Sequence, residues 1–200
     1  MSTAAEKLDK DQRYTYADYL EWDEEVRAEI INGKVNIIRA PRTIHQIISM
    51  RLFQCFTRFL EDKTCEVFAA PFGVRLFPKE DKSDNTVVEP DLVVICDPTK
   101  IDERGCNGAP DLIIEILYPY DQQRERIDKF NIYLKAGVRE YWLVYPENKW
   151  IEVNLFSEGQ TISKAYGINE PNEEKSKLLS ELVPVSVLSG LEIDTKDIFV

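Results

Sequence analysis

The chain predicts a single α/β domain built around a sheet that holds a parallel strand pair. Its 200 residues, 44% hydrophobic and 30% charged, are enough to bury a sizeable core as one α/β or α+β domain. A strongly apolar strand over 111–118, a helix from about Asp121 to Ala136 and a strand over Glu140–Tyr145 favour the α/β choice. That strand–helix–strand unit is long enough for a right-handed crossover between parallel strands. No internal repeat or linker divides the chain, so residues 1–12 read as a flexible polar leader and 13–200 as one domain.

From the N-terminus, Thr15 and Asp18 resemble a capping box that opens a short helix through Tyr19, Leu20 and Trp22. Asn32-Gly33 inside an apolar run over 29–38 is a hairpin turn signal. A helix over about 43–60 follows, apolar over more than one stripe and therefore expected to be buried on a broad front. The runs from Cys65 and from Phe72 read as two strands around a turn, and 79–85 as a solvated loop. Pro90 interrupts the next strand-like run, 87–95, which favours a bulge or an edge position. Residues 96–110 read as a loop, and Gly137 as the cap of the helix that precedes strand 140–145. Runs 150–156 and 161–166 look like an antiparallel edge; 178–182 is readable as helix or strand, and Gly190-Leu191-Glu192-Ile193 as a final strand before an apolar terminus.

Composition narrows the function classes. The start has neither a basic region leading into an apolar one nor a membrane-spanning run, so the expectation is a soluble cytoplasmic protein. Cysteines at 55, 65, 96 and 106 form no CxxC pair, and His45 is the only histidine, so reduced thiols are preferred over a structural zinc site. A net charge of -11 argues against a high-affinity, non-specific duplex binder, because such binding is driven by neutralising phosphates. It leaves a nuclease open, since acids around a metal carry their charge locally.

The residues with chemical promise are two acids on strand-like runs, Asp91 and Glu115. Glu115 shares a strand face with Ile113 and Leu117, and burying a carboxylate among apolar side chains costs several kcal/mol, roughly, unless a cation or hydrogen bonds offset it. The pair suits one Mg²⁺ or Mn²⁺, with the Ile116 backbone carbonyl and waters completing oxygen coordination. A buried glutamate that pairs with an arginine or caps a turn is the competing reading of Glu115, and Asp91 alone is an ordinary Pro-Asp turn residue. Leu117 stands two beyond Glu115, so no basic residue follows in that strand. Lys129 falls between Ile132 and Tyr133 in helical angle, where it is placed to act as a charged stabiliser or, if desolvated, a base. A lysine snorkelling beside Glu125 is the competing reading. His45 lies in angle with Leu52 and Phe56, as a ligand or as a packed core residue, and Glu29 precedes the Asn-Gly turn as a site acid or a surface one.

Glu89-Pro90-Asp91-Leu92-Val93-Val94, Gly108 through Leu117, Lys129, Tyr133 and Gly137 through Val144 together resemble the PD-(D/E)XK restriction-endonuclease-like superfamily, and within it the Uma-type family. The likeness runs from Tyr14 to the ending at 188–193. It implies a central mixed sheet flanked by helices, metal-dependent phosphodiester hydrolysis with Mg²⁺ or Mn²⁺, DNA or another nucleic acid as partner, and a homodimer. Asp91 and Glu115 match the metal-binding acids, Lys129 the migrated lysine, and Glu29 and His45 the family's glutamate and histidine. Three positions depart from the pattern. Tyr118-Pro119-Tyr120 replaces Ser-Pro-Ser or Ser-Pro-Thr, Glu125 an aspartate, and Tyr145-Pro146 an Asp-Pro. The tyrosines are expected to narrow the cavity mouth or to stack on bases. The sequence therefore favours a metal-dependent endonuclease, against a catalytically inactive nuclease-fold module that binds protein or nucleic acid and against a small-molecule phosphodiesterase.

Overall fold

The computed structural model describes residues 8–23, 25–118, 123–157, 159–168 and 179–199, without the side chains of 123–125. Helix α1 (Tyr16–Tyr19) opens with both halves of the capping box: Thr15 accepts from the Asp18 N–H, and the Asp18 carboxylate accepts from the Thr15 N–H. Strands β1 (Ala28–Ile31) and β2 (Lys34–Ile37) form the hairpin, with Asn32 and Gly33 at φ 51° and 80° as its turn requires. Helix α2 (Thr43–Leu60) has the expected bounds but buries one stripe: His45, Ile48, Leu52, Phe56 and Leu60. Ile44 and Met50 are exposed, because α2 packs on one side only, against the strands beneath it and the C-terminal helix.

Strands β3 (Glu66–Ala69) and β4 (Gly73–Arg75) were expected around one turn; instead they enter different sheets. Pro71, between them, has no N–H to extend a ladder, and the Ala70 N–H goes to the Asp91 carbonyl. The same switch recurs at Glu89-Pro90-Asp91, between β5 (Val87–Val88) and β6 (Leu92–Ile95). Residues 96–110, expected as loop, contain β7 (Ile101–Asp102) and β8 (Gly105–Asn107), strands too short to carry a period-two pattern. Then come β9 (Leu112–Ile116), α3 (Gln123–Ala136) and β10 (Glu140–Tyr145), with β9 and β10 parallel and Gly137 at φ 91° behind the helix. The first residues expected in α3, 121 and 122, lie outside the described ones. Strands β11 (Trp150–Ser157) and β12 (Gln160–Gly167) make the antiparallel edge. A ribbon of β13 (Leu182–Pro184) and β14 (Glu192–Asp194) and the Asp194-capped helix α4 (Thr195–Ile198) complete the order.

The central mixed sheet has the order β12-β11-β10-β9-β6-β3, and a second six-stranded sheet runs β2-β1-β5-β4-β8-β7. Alternation along β9 splits the core in two. Leu112, Ile114 and Ile116 pack with Ile48, Leu52 and Phe56 of α2, whereas Ile113 packs with Ile132 and Tyr133 of α3 and with Val74 and Val88 of the second sheet. Burial on both faces explains the unbroken apolar run, each full side-chain burial being worth about 1.5–3 kcal/mol.

The cysteine expectation is also corrected. Cys65 and Cys96 are disulfide-bonded, while Cys55 and Cys106 are free thiols. The Glu66–Ile95 pairing puts Cys65 and Cys96 opposite each other, with Cα atoms 3.9 Å apart, a proximity that exists only once β3 and β6 pair. Among the described residues, no helix is long and apolar enough to cross a membrane.

Candidate functional site

The site lies where β9 ends and the chain crosses between sheets. One step beyond the Leu92–Ile114 pair, the antiparallel register of β6 and β9 sets Asp91 opposite Glu115. Asp91 is pinned there: its Oδ2 accepts from the Ile116 N–H at 2.7 Å, and its Oδ1 lies 3.0 Å from Nε2 of His45, in the first turn of α2. Helix α3 supplies the other side. Lys129 Nζ donates to Glu115 Oε1 at 2.9 Å and to Glu29 Oε1 at 3.0 Å, and the Tyr133 hydroxyl, one turn on, donates to the same Glu115 oxygen at 2.7 Å. Glu29, from β1, also accepts from the Glu89 N–H at 3.0 Å.

Glu29, His45, Asp91, Glu115 and Lys129 are therefore brought together from β1, α2, the β5–β6 junction, β9 and α3. Ile116 joins them through its N–H. The side chain of Glu125, expected as a partner for Lys129, lies outside the described residues; Lys129 is paired with Glu115 and Glu29. Two contributors were not singled out as site residues. Tyr133 is signalled by its four-residue spacing from Lys129. Glu89, held by Arg27 at 3.0 Å and by the Tyr19 hydroxyl at 3.2 Å, fixes the segment that carries Asp91.

Burial and the charges of Asp91 and Glu29 push the Glu115 carboxyl up to about 7, against the pull of Lys129 and Tyr133. Burial works to lower the Lys129 pKa, yet Glu115 and Glu29 carry it well above the ordinary lysine value. Lys129 is therefore held as a charged ammonium. Burial, then Glu115 and Glu29, raises the Tyr133 phenol well above its usual value, so it serves as a proton-bearing donor.

Residues 16–191 match the family model Uma2, described as "Putative restriction endonuclease". The chain belongs to the Uma2 family. It shares the PD-(D/E)XK restriction-endonuclease-like architecture of a central mixed sheet flanked by helices. Among curated proteins it is similar to the uncharacterized protein slr1290 of Synechocystis sp., 25% identical over 173 residues that cover 84% of this chain and 88% of that one. Among solved structures it resembles "a putative nuclease belonging to DUF820" from Anabaena variabilis, with TM-score 0.70 and 24% identity over 93% of this chain and 97% of that one. That likeness speaks to the fold.

Whether this Uma2 site suits a divalent cation can be judged from its donors. Glu29 and Glu115 share one ammonium and Asp91 stands opposite Glu115, a surplus of hard oxygen donors that fits Mg²⁺ or Mn²⁺. Lys129 and Tyr133 both approach Oε1 of Glu115, leaving Oε2 unengaged by either. Nδ1 of His45 is buried with no hydrogen-bond partner among the described residues. Against this, no three His, Cys, Asp or Glu side chains among the described residues are grouped as a ready metal-ligand set. Tyr118 stacks on His45 with ring centroids 5.4 Å apart, and its hydroxyl accepts from the Arg42 N–H at 2.7 Å. Tyr120 lies outside the described residues.

Proposed function

We propose that this Uma2 protein is a divalent-metal-dependent endonuclease that hydrolyses phosphodiester bonds of nucleic acid. The observation that carries the reading is the convergence of three carboxylates, one imidazole and one buried ammonium from five separate parts of the chain. Asp91 and Glu115, with the Ile116 carbonyl and His45, would hold Mg²⁺ or Mn²⁺. When bound there, the ion supplies Lewis-acid stabilisation of charge developing on the phosphate. Lys129 adds a fixed positive charge for the same purpose, Glu29 holds that ammonium in place, and Tyr133 fixes the rotamer of Glu115. His45 orients Asp91. The proposal extends to a homodimer and to a cytoplasmic location, in which reducing cytosol would keep the Cys65–Cys96 bond open; electrophoresis of alkylated cell protein with and without reductant tests this, and a bond found closed in the cell sinks the cytoplasmic part.

The test is cleavage of labelled single-stranded, duplex and branched DNA and of RNA in Mn²⁺ or Mg²⁺, with Asp91→Asn as control. Divalent-dependent cutting that Asp91→Asn loses supports the reading; wild-type protein that cuts none of them sinks it. A second reading, a nuclease-fold module without catalysis, is favoured by Lys129 closing Glu29 and Glu115 on an internal cation. Thermal stabilisation by Mn²⁺ separates the two, since the module predicts none.

A further inference from the structure

Beside the carboxylates lies a second cluster that the hydrolytic site does not use. Strands β9 and β10 are parallel, so their C-terminal ends lie together: Ile116 pairs with Val144, and the Leu117 N–H bonds to the Val144 carbonyl. The next residue of β10, Tyr145, thus borders the strand end that bears Glu115. Tyr145 is paired across the turn with Trp150, and their rings stack at 4.1 Å and 2°. Both are half-buried, which keeps part of each ring at the surface. From above, the Arg126 guanidinium reaches the Tyr145 hydroxyl, which Glu152 also approaches at 3.5 Å.

Arg126 precedes Lys129 by three residues on α3 and so shares its face. Its Nε is buried with no hydrogen-bond partner among the described residues. A donor shut away from water without an acceptor is costly, and an anion arriving at the guanidinium relieves it. An arginine beside a half-buried aromatic stack joins a phosphate fork to a base platform, the pairing that unpaired nucleotides need.

We propose that Arg126, Tyr145 and Trp150 form a nucleotide subsite next to the hydrolytic centre, with Arg126 taking the phosphate beside the scissile one and the Tyr145–Trp150 stack taking its unpaired base. The inference rests on the nuclease reading and narrows its substrate class to single-stranded nucleic acid. It also suits a chain of charge -11, in which affinity must come from local contacts rather than a broad basic surface.

The experiment measures binding of labelled single-stranded oligo-dT, oligo-U and a DNA duplex by fluorescence anisotropy, in Ca²⁺ and in EDTA. The wild type is expected to prefer the single strands. Arg126→Ala and Trp150→Ala should each weaken that binding about tenfold, and Arg126→Lys should recover part of the loss. The thermal midpoint of Arg126→Ala and the Mn²⁺ stabilisation of both variants should stay at wild-type values; a merely structural Arg126 would lower that midpoint. Equal binding by wild type and variants, preference for duplex, or no binding at all overturns the subsite. Mn²⁺ stabilisation that Asp91→Asn abolishes is read separately, so the hydrolytic site can stand when the subsite falls.

Discussion

Glu115 and Glu140 are buried glutamates on neighbouring parallel strands, held in opposite ways. Glu140 starts β10 and is fully buried; its Oε1 accepts from the Trp142 indole at 2.7 Å and its Oε2 from the Val187 N–H at 2.9 Å. Burial raises its pKa, and those two hydrogen bonds oppose the rise. It ties the turn after β13 to the central sheet and faces no second carboxylate in those bonds. Glu115, at the other end of β9 and on the opposite face, shares one ammonium with Glu29 and stands opposite Asp91. A buried acid is therefore not in itself a sign of chemistry. What marks Glu115 is the crowding of like charge around it, an arrangement that costs stability and that neutral donors would have avoided.

The sharpest way to break this distinction is to replace each glutamate by glutamine. Glu115→Gln should lower divalent-dependent cleavage about 1,000-fold, equivalent to about 4 kcal/mol of barrier, while leaving the protein folded. Glu140→Gln should keep cleavage and lower stability by about 1–3 kcal/mol, read by urea unfolding, because a charged acceptor of two buried donors is lost. Equal loss of activity in both variants would erase the contrast.

Lys129 tests the same contrast from the cation's side. Lys129→Met leaves Glu29 and Glu115 facing each other without compensation, which should cost about 3 kcal/mol in metal-free protein. Mn²⁺ should return part of that stability if the acids form a cation site, and the double variant with Glu115→Gln should be more stable than Lys129→Met alone. Urea unfolding with and without Mn²⁺ measures both; an Mn²⁺-indifferent Lys129→Met would make the acids a closed ion-pair network.

Features set by neighbours in sequence were legible without coordinates: the Thr15–Asp18 capping box, the Asn32-Gly33 hairpin, both ends of α2 and the whole of β10. Features set by strand pairing were not. The assignment of β3 and β4 to different sheets, the short strands β7 and β8, and the Cys65–Cys96 bond all depend on which distant segment lies alongside. The site divides the same way. Helical angle showed that Lys129 turns inward, but its partners are 14 residues away at Glu115 and 100 away at Glu29, beyond any local pattern. Tyr133 and Arg126 carried a usable signal, their four- and three-residue spacing from Lys129, which gains meaning only once Lys129 is known to face the carboxylates.

The smallest effect separates the two glutamates through pH. In the folded protein Glu115 titrates at about 7 against an ordinary 4.5, so the fold holds this proton more tightly than the unfolded chain does. Stability from such a group is fully present below the unfolded value and is lost as pH rises through 7. Metal-free protein should therefore lose about 2 kcal/mol between pH 5 and pH 8, and Glu115→Gln should flatten most of that slope. Glu140 shifts in the same direction, so Glu140→Gln removes a share as well. Mn²⁺ distinguishes them. A cation held by Asp91 and Glu115 favours the ionised carboxylate and should abolish the Glu115 share of the slope, while the share of Glu140, which is 0% exposed and accepts from Trp142 and Val187, persists. Chemical denaturation across that pH range, with and without Mn²⁺, reads the difference; a slope that Mn²⁺ leaves unchanged would mean that Glu115, like Glu140, serves the fold alone.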